Sequence, residues 1–198
     1  MKEKYKKKIK IGITGLLVVG ILSLLPFTNI NKVIIKDKVT VKEVAYKEPI
    51  INDSNNIIVW DNLTREELIN KLNKNLYDTL SGTGSYFADY TIKTGLDPYL
   101  AVSIVNLETG CKWGCSYLAK NCYNIGGLKG NPSCNGGSYM KFNTLEEGIN
   151  GYLDILYNNY WNLGLTNAND MNPKYATSSN WAEKVNNYYN DIENTSLN

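Results

Sequence analysis

Carboxylates, tyrosines and thiols are the groups that could do chemistry in this chain, because its 198 residues include no histidine. Without an imidazole, neither a Ser-His-Asp nor a Cys-His arrangement can activate a nucleophile near neutral pH. Zinc hydrolases that use histidine ligands, including those with the H-E-x-x-H motif, are excluded for the same reason. An enzyme of this composition must therefore work with carboxylates, tyrosine, lysine or thiols.

Glu108 is the candidate acid. It follows Leu100 and Ile104 at helical spacing, so a helix would place all three on one apolar face. Burial there, and the negative C-terminal end of the helix, both favour the protonated carboxyl. General acid catalysis of glycoside cleavage requires that form. The ordinary alternative is a helix-end carboxylate that faces solvent or pairs with Lys112 or Lys129.

The first third of the chain predicts a membrane anchor. Six of the first ten residues are lysine, and residues 11–31 carry no charge. At about 1.5 Å per residue, a helix of that length crosses the roughly 30 Å apolar core of a bilayer. The positive-inside rule makes residues 1–10 a cytoplasmic segment and residues 11–31 a transmembrane anchor, with the rest outside the cell. A cleaved signal peptide is the alternative, and it also exports the domain.

The remaining composition separates a linker from one globular domain. Residues 32–60 alternate charged with β-branched residues and predict a stalk, whereas residues 61–198 have a length that suits a single core. The net charge of +2 depends on the N-terminal lysines. We therefore expect no nucleic-acid partner, and we assign the basic cluster to the membrane.

Four cysteines lie close together, at Cys111, Cys115, Cys122 and Cys134. Such a cluster could ligate zinc in a cytosolic protein, but the spacing lacks a repeated C-x-x-C. Export places these thiols in an oxidising space, which favours two disulfides. Three pairings are possible, and the sequence does not choose among them.

Helix signals begin at the start of the predicted domain. Thr64 and Glu67 form a capping box, and an SGTG turn ends the helix that follows. Leucines recur at helical spacing in this helix, at Leu68, Leu72, Leu76 and Leu80. A second helix is expected at about 85–93, with Gly95 as its stop.

The centre of the domain predicts a third helix from Asp97 to Gly110, with Asp as its N-cap and Pro at its first position. From Asn121 onward, glycine pairs and short apolar runs predict a small β-hairpin. A second capping box at 144–147 begins another helix, and a last one starts at about Asn180. We therefore expect an α+β fold, mainly helical with a small cysteine-bearing β-hairpin lobe and preceded by one transmembrane helix.

Three segments carry a resemblance to a known family. They are LDPYLAVSIVNLETG, then YNIGGLKG, then KYAT followed by WAEKV. In this order they resemble the bacterial and phage endo-β-N-acetylglucosaminidases of glycoside hydrolase family 73. There, a segment ending E-(T/S)-G precedes a hairpin N-(N)-x-(F/G)-G-I-K-G, and K-Y-A-T-D-P-x-(Y/W)-A-x-K-(I/V) comes later. The similarity covers roughly residues 63–192.

The resemblance implies a lysozyme-like fold, action on peptidoglycan glycan strands, and no metal or other cofactor. It maps Glu108 onto the general acid of the family and Tyr175 onto the tyrosine that lines its cleft. A role for Tyr175 as a core aromatic is the alternative. The residues expected to contact the sugar are Tyr123, Asn124, Gly126, Gly127 and Trp181. For the glycine pair, close approach of a sugar and simple turn formation are equally good explanations.

The chain departs from ordinary two-carboxylate glycosidases in one respect. Between Glu108 and Glu146 it has no Asp or Glu, and capping explains an acidic residue at the helix start there. With one acid, the N-acetyl group of the sugar can itself attack the anomeric carbon, which implies an N-acetylglucosaminidase. The alternative is a lytic transglycosylase that leaves anhydromuramic ends. A wall-binding module without catalysis is a further alternative.

Overall fold

The computed structural model describes residues 51–52 and 56–197. Their strands are β1 (Ile51–Asn52), β2 (Asn56–Trp60) and β3 (Leu63–Thr64). Their helices are α1 (Arg65–Asn73), α2 (Gly84–Thr94), α3 (Pro98–Thr109), α4 (Tyr117–Cys122), α5 (Leu145–Asn159), α6 (Ala168–Tyr175) and α7 (Trp181–Glu193). Single 3₁₀ turns lie at Asp78–Leu80, Cys111–Trp113 and Trp161–Leu163. The predicted cytoplasmic segment and anchor lie outside the described residues, within which no helix has the length and apolar character to cross a bilayer.

A small antiparallel sheet precedes the helices, with strand order β1-β2-β3. In its register Ile58 pairs with Thr64. Val59 and Trp60 pack against the buried core, and the Trp60 ring meets Tyr99 of α3 edge-on at 6.4 Å. The last residues of the predicted stalk therefore pack onto the domain that they precede.

Helix α1 begins as predicted but ends earlier. Thr64 and Glu67 form the capping box, and the first two leucines of the series are buried in the helix. The other two are also buried but lie beyond its end at Asn73. The buried Asn75 explains the break. Its side-chain amide nitrogen donates to Lys71 O at 3.0 Å, and its backbone carbonyl accepts from the side chain of Asn106. Asparagine side chains compete in this way with helical hydrogen bonds.

Helix α3 is the centre of the core. Asp97 caps it by accepting from Tyr99 N and Leu100 N, and Gly110 ends it at φ 65°, as predicted. Every residue from Pro98 to Asn106 is buried, and α1, α2 and α7 pack around it. A helix that is apolar on all sides is enclosed by its neighbours.

Helices α5, α6 and α7 complete the domain. Thr144 accepts from Glu147 N, whereas the Glu147 carboxylate reaches Asn143 N at 2.9 Å. Helix α7 begins at Trp181 and packs on both α3 and α6. Helix α6 was not predicted, because it is short, polar and contains Pro173 near its end.

The prediction of a regular β-hairpin is wrong. The mainly helical α+β class is confirmed. Between α4 and α5 the described chain has only two isolated antiparallel bridges, Lys129 with Tyr139 and Ser133 with Met140. Glycines and Pro132 interrupt the segment, so a regular ladder cannot propagate. We call residues 123–142 the lobe.

Two disulfides staple the region around the lobe, as predicted. Cys111 pairs with Cys115, and Cys122 at the end of α4 pairs with Cys134 in the lobe. All four sulfurs are thereby used, which excludes the zinc alternative. The pairing that the sequence left open is therefore sequential along the chain.

Gly148 docks α5 onto the start of the lobe. In the first turn of that helix, a Cβ at Gly148 would overlap the carbonyl oxygen of Tyr123, which is backbone and cannot rotate away. Only glycine therefore allows the helix to approach the lobe this closely.

We expect Gly148→Ala to destabilise the full-length protein by about 3 kcal/mol, since helix and lobe must separate. Gly151→Ala, in the same helix, is the matched control. Its Cβ would meet the Phe142 ring at 3.1 Å and the end of the Leu128 side chain at 3.6 Å, both of which are side chains that can shift, and it gains helix propensity. Urea unfolding measures both free energies. Equal stabilities of the two variants would contradict the assigned contact.

Candidate active site

Glu108 lies in the last turn of α3, where that helix leaves the core. Its side chain is exposed, so the burial expected from its apolar face is wrong. The reason is that α3 is enclosed on all sides only as far as Asn106, and beyond it the side of the helix that carries Leu107 and Glu108 emerges while Thr109 stays buried. The carboxylate Oε1 accepts a hydrogen bond from Trp181 Nε1 at 3.1 Å. Lys112, the partner considered from sequence, instead pairs with Asp191 at 3.2 Å.

Trp181 holds this carboxylate from the first position of α7. Its side chain is only 5 % exposed, and its ring stacks on Tyr175, with centroids 4.4 Å apart and planes 23° apart. Little of the Trp181 ring is therefore free to make the predicted contact with a sugar. What the structure shows instead is an indole N–H directed at Glu108.

Tyr175 is the last residue of α6 and is half-buried against Trp181 and Tyr160. Burial raises the pKa of its phenol above the ordinary value, and the charge of Glu108 and the neighbouring Tyr160 raise it further. The phenol is therefore protonated at any physiological pH and can donate a hydrogen bond. The structure brings Glu108, Tyr175 and Trp181 into one cluster, and the roles expected for them stay predictions.

Tyr152 of α5 supports this cluster from beneath. It is buried, and its hydroxyl donates to Ala101 O of α3 at 2.7 Å. Burial raises the pKa of Tyr152, and the charges of Tyr175 and Glu108 add to the effect. The proximity of Tyr152 to Glu108 has no signal in the sequence.

The lobe meets the cluster through its glycine pair. A Cβ at Gly126 would lie 3.0 Å from the Tyr152 ring, a tight contact that glycine avoids. Gly127 has φ 62° and is exposed, which identifies it as the turn residue of the pair. Contact of either glycine with a sugar stays a prediction.

Asn124 is buried and holds the shape of the lobe. Its amide nitrogen donates to Leu128 O and Met140 O, both at 2.8 Å, and its oxygen accepts from Leu128 N. Three of its four hydrogen-bonding positions are thus used internally, and a sugar would have to displace these bonds to reach it. Tyr123 adopts φ 50° at the end of α4 and is half-buried.

A concave surface lies between α2 and α5 and does not include Glu108. This groove of about 410 Å³ is lined by Tyr86, Asp89, Tyr90, Lys93, Glu146, Asn150 and Asp154. Two of its carboxylates already have partners, since Arg65 pairs with Asp89 at 2.6 Å and Tyr90 donates to Asp154 at 2.7 Å. Among residues 51–52 and 56–197, no group of three His, Cys, Asp or Glu side chains is arranged to hold a metal ion.

The Glu108 cluster offers solvent one carboxyl that a buried indole holds in place. The exposed carboxyl can reach a substrate oxygen, the Trp181 N–H donates to it, and the Tyr175 ring stacks on that indole. Such an arrangement suits protonation of a leaving group, as in glycoside cleavage.

Residues 84–194 match the glucosaminidase family model, described as mannosyl-glycoprotein endo-beta-N-acetylglucosaminidase. The match covers more than half of the chain, from α2 to α7, and includes the Glu108 cluster and the lobe. No curated protein matches the chain at the significance applied. The family match confirms the resemblance that the three motifs carry. The chain therefore belongs to the glucosaminidase family, and it is a glycoside hydrolase acting on peptidoglycan.

Proposed function

We propose that the chain cleaves β-1,4 glycan strands as an endo-β-N-acetylglucosaminidase, with Glu108 as its single general acid. The observation that supports this most is the hydrogen bond from Trp181 to the Glu108 carboxylate at 3.1 Å. It orients one exposed carboxyl at the end of a rigid, buried helix. Precise placement of the donor is what general acid catalysis demands.

The proposed reaction is substrate-assisted. Glu108 gives its proton to the glycosidic oxygen as the bond from that oxygen to the anomeric carbon breaks. The carbonyl oxygen of the substrate's own N-acetyl group attacks the anomeric carbon and forms a cyclic oxazolinium. Water then attacks the same carbon, its proton returns to Glu108, and the ring reopens to the N-acetyl group. The new reducing end keeps its configuration, since two displacements have occurred.

Tyr175 serves this reaction as a hydrogen-bond donor. Its phenol keeps its proton, because burial and the Glu108 charge raise its pKa. A donor beside the acid can orient the N-acetyl group for its attack. Tyr175 is therefore proposed to position the substrate rather than to exchange a proton with it.

The carboxylates of the neighbouring segments favour a single acid. No Asp or Glu lies between Glu108 and Glu146. Glu146 faces the α2–α5 groove, where Tyr86 Oη approaches it at 3.5 Å, and Glu147 caps α5 through Asn143 N. Both acidic residues at the start of α5 are thus held in contacts other than the Glu108 cluster. In the proposed reaction, the N-acetyl group of the substrate acts as the nucleophile in place of a second carboxylate.

We propose that the domain works outside the cell, tethered by residues 11–31. The charge pattern of residues 1–31 supports this orientation. The two disulfides support it independently, because such bonds persist in oxidising spaces and are rare in the cytosol.

Removal of the acid tests the central claim. We expect Glu108→Gln to lower the rate of cell-wall hydrolysis by the full-length protein at least about 100-fold, because the amide cannot supply the proton. Glu66→Gln, an exposed carboxylate of α1, is the control and should keep full activity. Turbidity of wall suspensions gives the rate, and circular dichroism checks the fold. A fully active Glu108→Gln enzyme would contradict the assignment of Glu108 as the general acid.

Loss of the orienting hydrogen bond should separate catalysis from binding. Trp181→Phe keeps a ring on Tyr175 but removes the N–H, so we expect kcat to fall about tenfold with KM nearly unchanged. Trp60→Phe makes the same chemical change beside Tyr99, near the opposite end of α3, and should leave both constants unchanged. A Trp181→Phe enzyme with unaltered kcat would show that the bond has no role in catalysis.

The products distinguish hydrolysis from the transglycosylase alternative, which also works with one acid. We expect mass spectrometry of digested wall to show free reducing N-acetylglucosamine ends, since water is the final acceptor. As the control, one wall sample is reduced with borohydride before digestion and another after it, which separates reducing ends already present from those that the enzyme forms. Fragments with 1,6-anhydromuramic ends would instead assign intramolecular attack by a muramic hydroxyl.

A further inference from the structure

Trp113 is unusual because its large apolar ring faces solvent. Its side chain is 84 % exposed, and Tyr117, four residues later, is 57 % exposed. Neither ring has an assigned role in the core or in the Glu108 cluster. Both belong to residues 110–117, which we call the stapled loop; it begins two residues after Glu108 and ends at the first residue of α4. Exposed aromatic surface concentrated in one segment marks an interaction site.

The stapled loop is closed upon itself. Ser116 N donates to Thr109 O at 2.8 Å, so the two ends of the loop meet. The disulfide between Cys111 and Cys115 closes a second ring inside them, and both cysteines are buried. Trp113 N donates to Gly110 O, just outside that ring, at 2.9 Å. The indole therefore projects from a constrained backbone.

Neighbouring elements hold the loop from two sides. Asp78 accepts from Cys115 N at 3.2 Å and pairs with Lys120 at 2.9 Å. On the other side, Lys112 pairs with Asp191 and lies over the Tyr188 ring of α7. These contacts are made before any ligand binds. The loop therefore loses little conformational entropy when a ligand binds at Trp113, and this cost of binding is small.

The loop lies within reach of the proposed acid. Trp113 follows Glu108 by five positions, which limits their Cα separation to about 18 Å. The real separation is shorter than that limit, because the loop folds back onto Thr109, the residue next to Glu108. A polymer bound at Glu108 has several sugar rings on each side of the cleaved bond, and these must pass over surfaces close to the acid.

We propose that Trp113, assisted by Tyr117, is a binding platform for sugar rings of the glycan strand outside the bond that is cleaved. This inference rests on the proposed function and names a further substrate contact for it. A flat ring with a polar tip suits the apolar face of a pyranose. Its sequence neighbour Lys112 is paired with Asp191, so the ring itself offers stacking to a sugar face.

Kinetics on two substrates test the platform. We expect Trp113→Ala in the full-length protein to raise KM for insoluble peptidoglycan about tenfold, the usual effect of removing an anchoring Trp. The kcat should be unchanged, and Trp113→Phe should restore most of the affinity. Ile92→Ala, which also removes an exposed apolar side chain, is the control. A short glycan fragment that spans only the cleaved bond should be hydrolysed equally by all four proteins.

Binding gives a readout that does not require turnover. Co-sedimentation with peptidoglycan in the Glu108→Gln background should weaken about tenfold when Trp113→Ala is added. Unchanged sedimentation and KM would overturn the platform. Loss of binding to phospholipid vesicles with unchanged glycan binding would also overturn it, and would assign the rings to a membrane surface. If the wild-type chain released no fragments, the proposed function would fail, and sedimentation would still decide the role of Trp113.

Discussion

The burial of α3 on every side is the constraint on which the rest of this domain depends. Residues 98–106 are enclosed, and the helix reaches solvent at its C-terminal end. At one end Asp97 caps the helix, and burial raises the pKa of this carboxyl to about 6, against the hydrogen bonds that it accepts from Leu100 N and Tyr189 Oη. At the other end Glu108 emerges. The helix thus carries one carboxyl inside the core and one outside it.

Helix α7 runs antiparallel to α3 and contacts both of these carboxyls. Trp181 in its first turn donates to Glu108, and Tyr189 near its end donates to Asp97. Polar tips of aromatic rings make these contacts while the rings themselves pack in the core. Tyr152 repeats the pattern from α5, with its hydroxyl on the α3 backbone and its ring under Gly126. Aromatic side chains therefore position the acid and the lobe through the same hydrophobic packing that stabilises the fold.

The lobe is stabilised differently, because it has too few apolar residues for a core of its own. A disulfide from Cys122 to Cys134, the buried amide of Asn124 and the close approach at Gly148 take that role. Each of them is a local constraint that needs no strand ladder. The irregular backbone that results can carry glycine turns beside the cluster, as a site for a bulky polymer requires.

The sequence alone determined the chemistry class and most of the helices. The absence of histidine excluded whole mechanisms, and local signals at Thr64, Asp97 and Gly110 located helix ends, since capping depends on residues only three or four positions apart. Ordered motifs identified the family and selected Glu108, Tyr175 and Trp181. Only the tertiary structure decided that Glu108 is exposed, that Trp181 orients it, and that the cysteines pair sequentially. Those features depend on which residues distant in the chain become neighbours, and neither periodicity nor spacing contains that information.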